Sequence, residues 1–187
     1  MAAPKLRVVI DTETTGLSHR ADAIVQVGLA YRERPDEPIQ TWSEVCDPGE
    51  RFLLPSRDLS ALRINGLSVD EIKNGCPAEV VATGLREVLD HLDLAHGGLS
   101  LRAYNMAFDR PFLEAPPWSL RASWGPCIMK LAHRHLAPGG RWPRLSDACA
   151  ALGIREAMNR AHDAASDARA ALLVLERLES IGIGARE

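Results

Sequence analysis

Residues Val8–Gly16 read VVIDTETTG. Val8, Val9 and Ile10 are apolar and β-branched, the composition of a strand buried on both faces. Asp11 and Glu13 follow, separated by Thr12, with Thr14 and Thr15 next. If the strand pairing runs on through both acids, their carboxylates stand on the same face. At a buried strand end two such groups repel and lose hydration, so each raises the pKa of the other. A D-x-E pair in a loop is ordinarily a turn cap beside a solvated acid. Directly on a VVI strand the pair instead favours a divalent cation, and oxygen-only ligands suit Mg²⁺ or Mn²⁺ rather than zinc.

The rest of the chain supplies a core for such a strand. Its 187 residues are 46% hydrophobic and 25% charged, the balance of one globular domain spanning residues 1–187 with a core over about 5–180. Cys46, Cys76, Cys127 and Cys149 are scattered with no C-x-x-C pair. That spacing argues against a disulfide framework or a zinc site and fits the reducing cytoplasm. No secretory signal pattern precedes the first strand, and no apolar run is long enough for a bilayer, so no membrane partner is expected. The net charge of −3 gives no bulk attraction for a polyanion, which leaves that task to a local patch.

Periodicity predicts strands over Leu6–Ile10, Ala23–Tyr31 and Ile39–Val45, joined by short polar turns as an antiparallel meander. Helices are predicted over Leu59–Ile64, after Ser68 (with Glu71 completing a capping box), and over Pro77–Leu94. A short strand follows over Leu99–Ala103. The next helix starts near Phe108 or Asp109, which keeps Pro111 in its first turn, and stops at Pro116–Pro117. Further helices are expected over Ile128–Leu136, Leu145–Leu152 and Asp163–Leu178. Strands first and mixed elements later point to an α/β fold, a mixed sheet with helices packed on it.

A cation at Asp11 and Glu13 needs more ligands. Asp109 stands at the start of a helix that follows a strand, and Asp167 stands in the first turns of the last helix. Each alone reads as an acid complementing a helix dipole, and His162 alone reads as a surface or capping residue. Their joint order is what gives them weight: D-x-E, then N-x-x-F-D, then H-x-x-x-x-D.

That ordered set resembles the DEDD superfamily of 3′→5′ exonucleases, in the subgroup whose third motif carries a histidine. The matching stretches are VVIDTETTGL, AYNMAFDRPFL and AHDAASD, and the resemblance covers nearly the whole chain. CIMKLAHRHL, between the second and third motifs, looks most like the exonuclease X branch. The resemblance implies an RNase H-like fold, a five-stranded mixed β-sheet flanked by α-helices. It implies two Mg²⁺ or Mn²⁺ ions on Asp11, Glu13, Asp109 and Asp167, with His162 as general base. It also implies substrate contacts from Thr12, Thr14, Thr15, Asn105 and Phe108. The chain departs from the usual family pattern at Gln26, where glutamate is common, and at Asn65, where histidine is common. Asn65 is carried as a candidate substrate contact.

Between Glu114 and Asp147 there is no acidic residue. Arg121, Lys130, Arg134, Arg141 and Arg144 lie there, interleaved with Trp118, Trp124 and Trp142. Cations for phosphates and rings for bases make this the expected nucleic-acid patch, with Arg141 and Arg144 as its leading contacts. The expected partner is therefore a nucleic acid, with DNA 3′ ends ahead of RNA. An exoribonuclease of the same fold and a polymerase accessory or proofreading subunit are the alternatives. The chain shows no clear polymerase-tethering tail after the last helix, and monomer and homodimer both stay open.

Overall fold

The computed structural model describes residues 5–54, 56, 58–155 and 163–183. Its first three strands are β1 (Leu6–Thr14), β2 (Ile24–Tyr31) and β3 (Gln40–Asp47), and they form the expected antiparallel meander. A single 3₁₀ turn over Glu50–Phe52 leads to the short helices α1 (Ser60–Asn65) and α2 (Val69–Lys73). The two-residue strand β4 (Cys76–Pro77) pairs parallel to β3 and enters the long helix α3 (Ala78–His96). Strand β5 (Leu99–Arg102) then pairs parallel to β1. The remaining helices are α4 (Met106–Glu114), α5 (Ile128–Leu136), α6 (Leu145–Ala151) and α7 (Ala164–Ser180). The five-stranded mixed sheet runs β4-β3-β2-β1-β5. Beyond β5 the chain makes one more parallel bridge, Leu101 to Trp124.

The pleat of β1 sorts its side chains between two helical layers. Val8 and Ile10 pack with Val81, Leu85, Leu89 and Leu92 of α3. Val9 packs the other way, with Ile128 and Leu131 of α5, Ala148 of α6, and Ala168, Leu172 and Leu175 of α7. Alternation carries Asp11 and Glu13 onto the Val9 side, which is the α7 side. Buried apolar surface on both faces, at roughly 25 cal/mol per Å², is what holds β1 central.

Most boundaries shift by one or two residues from the sequence expectation, and two of the differences bear on the acids. Strand β1 continues four residues past Ile10, so the acids lie inside paired strand rather than in a turn beyond it. Asp11 pairs with Gly28 and Glu13 with Gln26, and the register slips only after Glu13. Helix α4 starts at Met106, so Pro111 lies inside it rather than in its first turn. Asn105 explains the earlier start: its carbonyl accepts from Phe108 N (2.8 Å) and Asp109 N (3.3 Å).

Candidate active site

The β1 acids meet α7 at its first turn. Asp11, Glu13 and Asp167 each bring a carboxylate oxygen within 4.8 Å of the other two. Asp109 is not one of these three; it approaches from α4 through Thr12, where its Oδ1 accepts from the backbone N (3.2 Å) and from Oγ1 (2.8 Å). The sheet explains this reach. Strand β5 accompanies β1 only as far as Val9. Past that point the edge of β1 is open, and Asp109 bonds to it.

Electrostatics follow from this crowding. Burial, and then the charges of Asp109, Glu13, Asp167 and Asp163, push Asp11 well above the usual carboxylate range. Burial also raises Glu13 to about 8, with Asp167, Asp109 and Asp163 adding to it. Asp109 is raised to about 7 by burial, against the two Thr12 hydrogen bonds, which pull it down. Acids this close cannot all ionise in a dry site without a cation, and the donors are all hard oxygens. The residues therefore fit a divalent metal of the Mg²⁺ or Mn²⁺ class.

Asp163 is the acid that the sequence reasoning passed over. Its Oδ2 caps α7 by accepting from Ser166 N (3.1 Å) and Ser166 Oγ (2.7 Å). Its Oδ1 accepts from Gln26 Nε2 at 3.0 Å. The signal was available in AHDAASD, where an aspartate three residues before a serine begins an apolar helix.

The other expected contacts fall in several places. Thr12, Thr14 and Thr15 are all buried. Thr12 holds Asp109, Thr14 Oγ1 donates to Gly16 O (2.6 Å), and Thr15 Oγ1 accepts from Ala23 N (3.1 Å). Asn65 Nδ2 donates to the Thr14 carbonyl at 3.0 Å, which ties α1 to the end of β1. Asn105 is exposed at the head of α4, and Phe108 leans on Phe112 at 5.2 Å between ring centroids. Two large apolar side chains stand in solvent: Leu17, three residues past Thr14, is 87% exposed, and Ile64, next to Asn65, is 62% exposed.

Arg141 and Arg144 are exposed in the stretch that leads into α6. Tyr104 Oη donates to the carbonyls of Pro143 (3.0 Å) and Arg144 (3.1 Å), so this stretch is fastened one residue before Asn105. Between the two arginines, Trp142 is 50% exposed and stacks on His133 at 4.2 Å. Trp118, by contrast, is 3% exposed and belongs to the core, so it presents no ring to a ligand. His162 lies outside the described residues. No helix among the described residues is long and apolar enough to cross a membrane.

The fold has well-populated company among solved structures. Cell-death related nuclease 4 (CRN-4) superposes with a TM-score of 0.74 at 15% identity, over 96% of this chain and 65% of that one. E. coli exonuclease I in complex with a dT13 oligonucleotide gives 0.69 at 20% identity, over 94% and 41%. A 3′-exonuclease in 3′-end specific recognition of a histone mRNA stem-loop gives 0.75 at 14% identity, over 98% and 85%. The chain thus spans less than two thirds of the length of the first two. At these identities the likeness is one of fold. No curated protein sequence matches the chain. A family model described as an RNase_T exonuclease matches residues 8–175, a span that takes in the β1 acids, Asp109 and Asp167. The chain therefore belongs to the RNase_T exonuclease family, of the DEDD group of 3′→5′ exonucleases.

Proposed function

We propose that the protein is a metal-dependent 3′→5′ exonuclease that releases nucleoside 5′-monophosphates from DNA 3′ ends. The observation that carries this reading is the meeting of Asp11, Glu13 and Asp167 within 4.8 Å, with Asp109 fastened to Thr12 between the two β1 acids. Asp11, Glu13, Asp109 and Asp167 would hold two divalent cations. When bound, such ions supply Lewis acidity at phosphoryl oxygens and lower the pKa of an attacking water.

The chain's own residues do the positioning. Asp11 and Glu13 sit in paired strand, so their carboxylates are presented without a loop to reorder. Thr12 occupies Oδ1 of Asp109 and leaves Oδ2 as the oxygen for a cation. Asn65 bonds to the Thr14 carbonyl, and its neighbour Ile64 is exposed, as is Leu17 three residues past Thr14. These two side chains offer apolar surface to a terminal base. Arg141, Trp142 and Arg144 offer charge and a ring to the strand upstream. His162 is assigned as the proton acceptor from the attacking water. A neutral imidazole can accept a proton at neutral pH, which suits that role.

Sugar choice separates DNA from RNA as the substrate. The solved relatives include one in complex with a DNA oligonucleotide and one that recognises an mRNA stem-loop. Equal-length DNA and RNA single strands of matched sequence, digested side by side in Mg²⁺ and in Mn²⁺, test this choice. Faster DNA shortening is the expected result, whereas faster RNA shortening would establish the exoribonuclease reading.

A further inference from the structure

Glu13 and Gln26 are directly paired between β1 and β2, as are Asp11 and Gly28. Directly opposed residues share a sheet face, so Gln26 and Gly28 lie on the α7 side with the two acids. Gln26 is buried and spends both ends of its amide on the start of α7. Its Oε1 accepts from Ala164 N (3.3 Å), and its Nε2 donates to Asp163 Oδ1 (3.0 Å). The first bond fixes the orientation of the amide, because only the oxygen can accept from a backbone N–H. The second then requires Asp163 to be the acceptor. Gly28 permits this seating: a Cβ there would lie 2.3 Å from the Ala164 carbonyl carbon and 2.4 Å from Ala165 N.

Asp163 passes the restraint onward. It caps the helix at Ser166, and its carbonyl accepts from Asp167 N at 2.9 Å. One unbroken set of bonds therefore runs from β2, through Gln26 and Asp163, to the backbone of Asp167. We infer that Gln26 is a positioning residue, which sets the first turn of α7 so that the Asp167 carboxylate meets Asp11 and Glu13. The glutamine amide suits both neighbours at once, accepting from Ala164 N and donating to Asp163. A glutamate would face the Asp163 carboxylate across about 3 Å, and the two would repel unless the pair took up a proton.

This inference rests on the proposed metal-dependent reading of the same acids, and the test separates the two. Its main readout is the Mn²⁺ concentration at half-maximal thermal stabilisation, measured without substrate; kcat on an oligonucleotide is the second. Gln26→Glu should raise that concentration about tenfold or more and lower kcat about 10–100-fold, the range for outer partners that orient metal ligands. Adding Asp163→Asn to Gln26→Glu should restore both toward wild type, because the amide then donates from residue 163 to the new carboxylate. A change acting only on overall stability would lower the melting temperature and leave the Mn²⁺ midpoint unmoved. Gln26→Met, neutral and similar in volume, covers the case in which Gln26→Glu does not fold, and it should also weaken Mn²⁺ binding. Wild-type Mn²⁺ affinity in a folded Gln26→Glu or Gln26→Met protein overturns the inference, as does failure of the double variant to recover. Absence of Mn²⁺ binding by the wild type overturns instead the reading on which it rests.

Discussion

Thr12 grips Asp109 twice, through its backbone N–H and its hydroxyl, and both bonds end on the same carboxylate oxygen. The bonds link the central strand to α4 where β5 no longer covers the edge of β1. They also oppose the rise that burial imposes on the Asp109 pKa. Thr12→Val keeps the shape and removes the hydroxyl donor, so the ionised form of Asp109 loses support. The acid limb of Mn²⁺ binding, measured without substrate, should move to higher pH, with stability lower by about 1–3 kcal/mol. An unmoved acid limb would show that the hydroxyl contributes nothing to Asp109.

The crowded acids also set how the metal-free protein responds to pH. Folding raises Glu13 from 4.5 to about 8 and Asp109 from 3.8 to about 7. A carboxyl raised on folding contributes full stability below its unfolded pKa and loses it as pH climbs to the folded value. In metal-free protein the melting temperature should therefore fall between about pH 4.5 and 8, and Glu13→Gln should flatten that fall. Mg²⁺ or Mn²⁺ should raise the melting temperature more at pH 8 than at pH 5. Parallel wild-type and Glu13→Gln profiles across that window would refute the electrostatic account.

Much of this arrangement is legible in the sequence. The meander, the capping box at Ser68 and Glu71, and the ordered acids depend on local composition and spacing, which a sequence displays directly. The extension of β1 through Asp11 and Glu13 is less visible. It depends on pairing with Gly28 and Gln26 of β2, and strand propensity disfavours acids. The bonds of Gln26 to Asp163 and Ala164 join residues more than 130 positions apart, and no local pattern encodes such a pair. Trp118 misleads in the other direction: interleaved with cations in sequence, it is a core side chain once folded.

Gly28 gives a steric test of how closely α7 is held. An alanine Cβ would lie well inside contact distance of the backbone at Ala164 and Ala165, so the helix must move away from β2. Gly28→Ala should cost about 1–3 kcal/mol in thermal or urea denaturation, the range for overpacking. It should also reduce kcat, because Asp167 rides on the same helix. Wild-type stability together with wild-type kcat would mean that the close approach is not needed.

Charge reversal tests the grip on the upstream strand. Arg141→Glu with Arg144→Glu should weaken binding of a single-stranded oligonucleotide. It should also reduce the slope of log K against log salt by about 1.4, roughly 0.7 for each single-strand phosphate that the arginines no longer neutralise. Binding is measured in Ca²⁺, so that cleavage does not intervene, across a series of salt concentrations. An unchanged slope would remove these arginines from the interface.

The central claim is that the acids of β1, α4 and α7 form one metal-dependent centre for exonucleolytic hydrolysis. Its most direct measurement follows a 5′-labelled single-stranded oligonucleotide over time in Mg²⁺ or Mn²⁺, with the released products identified by mass. Wild type, Asp11→Ala and Asp167→Ala are compared with and without EDTA. The account predicts a ladder that shortens one nucleotide at a time from the 3′ end, with nucleoside 5′-monophosphates as products. It predicts that EDTA or either substitution abolishes the ladder. Shortening that persists in Asp11→Ala or in EDTA, or no cleavage of DNA or RNA by the wild type, would contradict it.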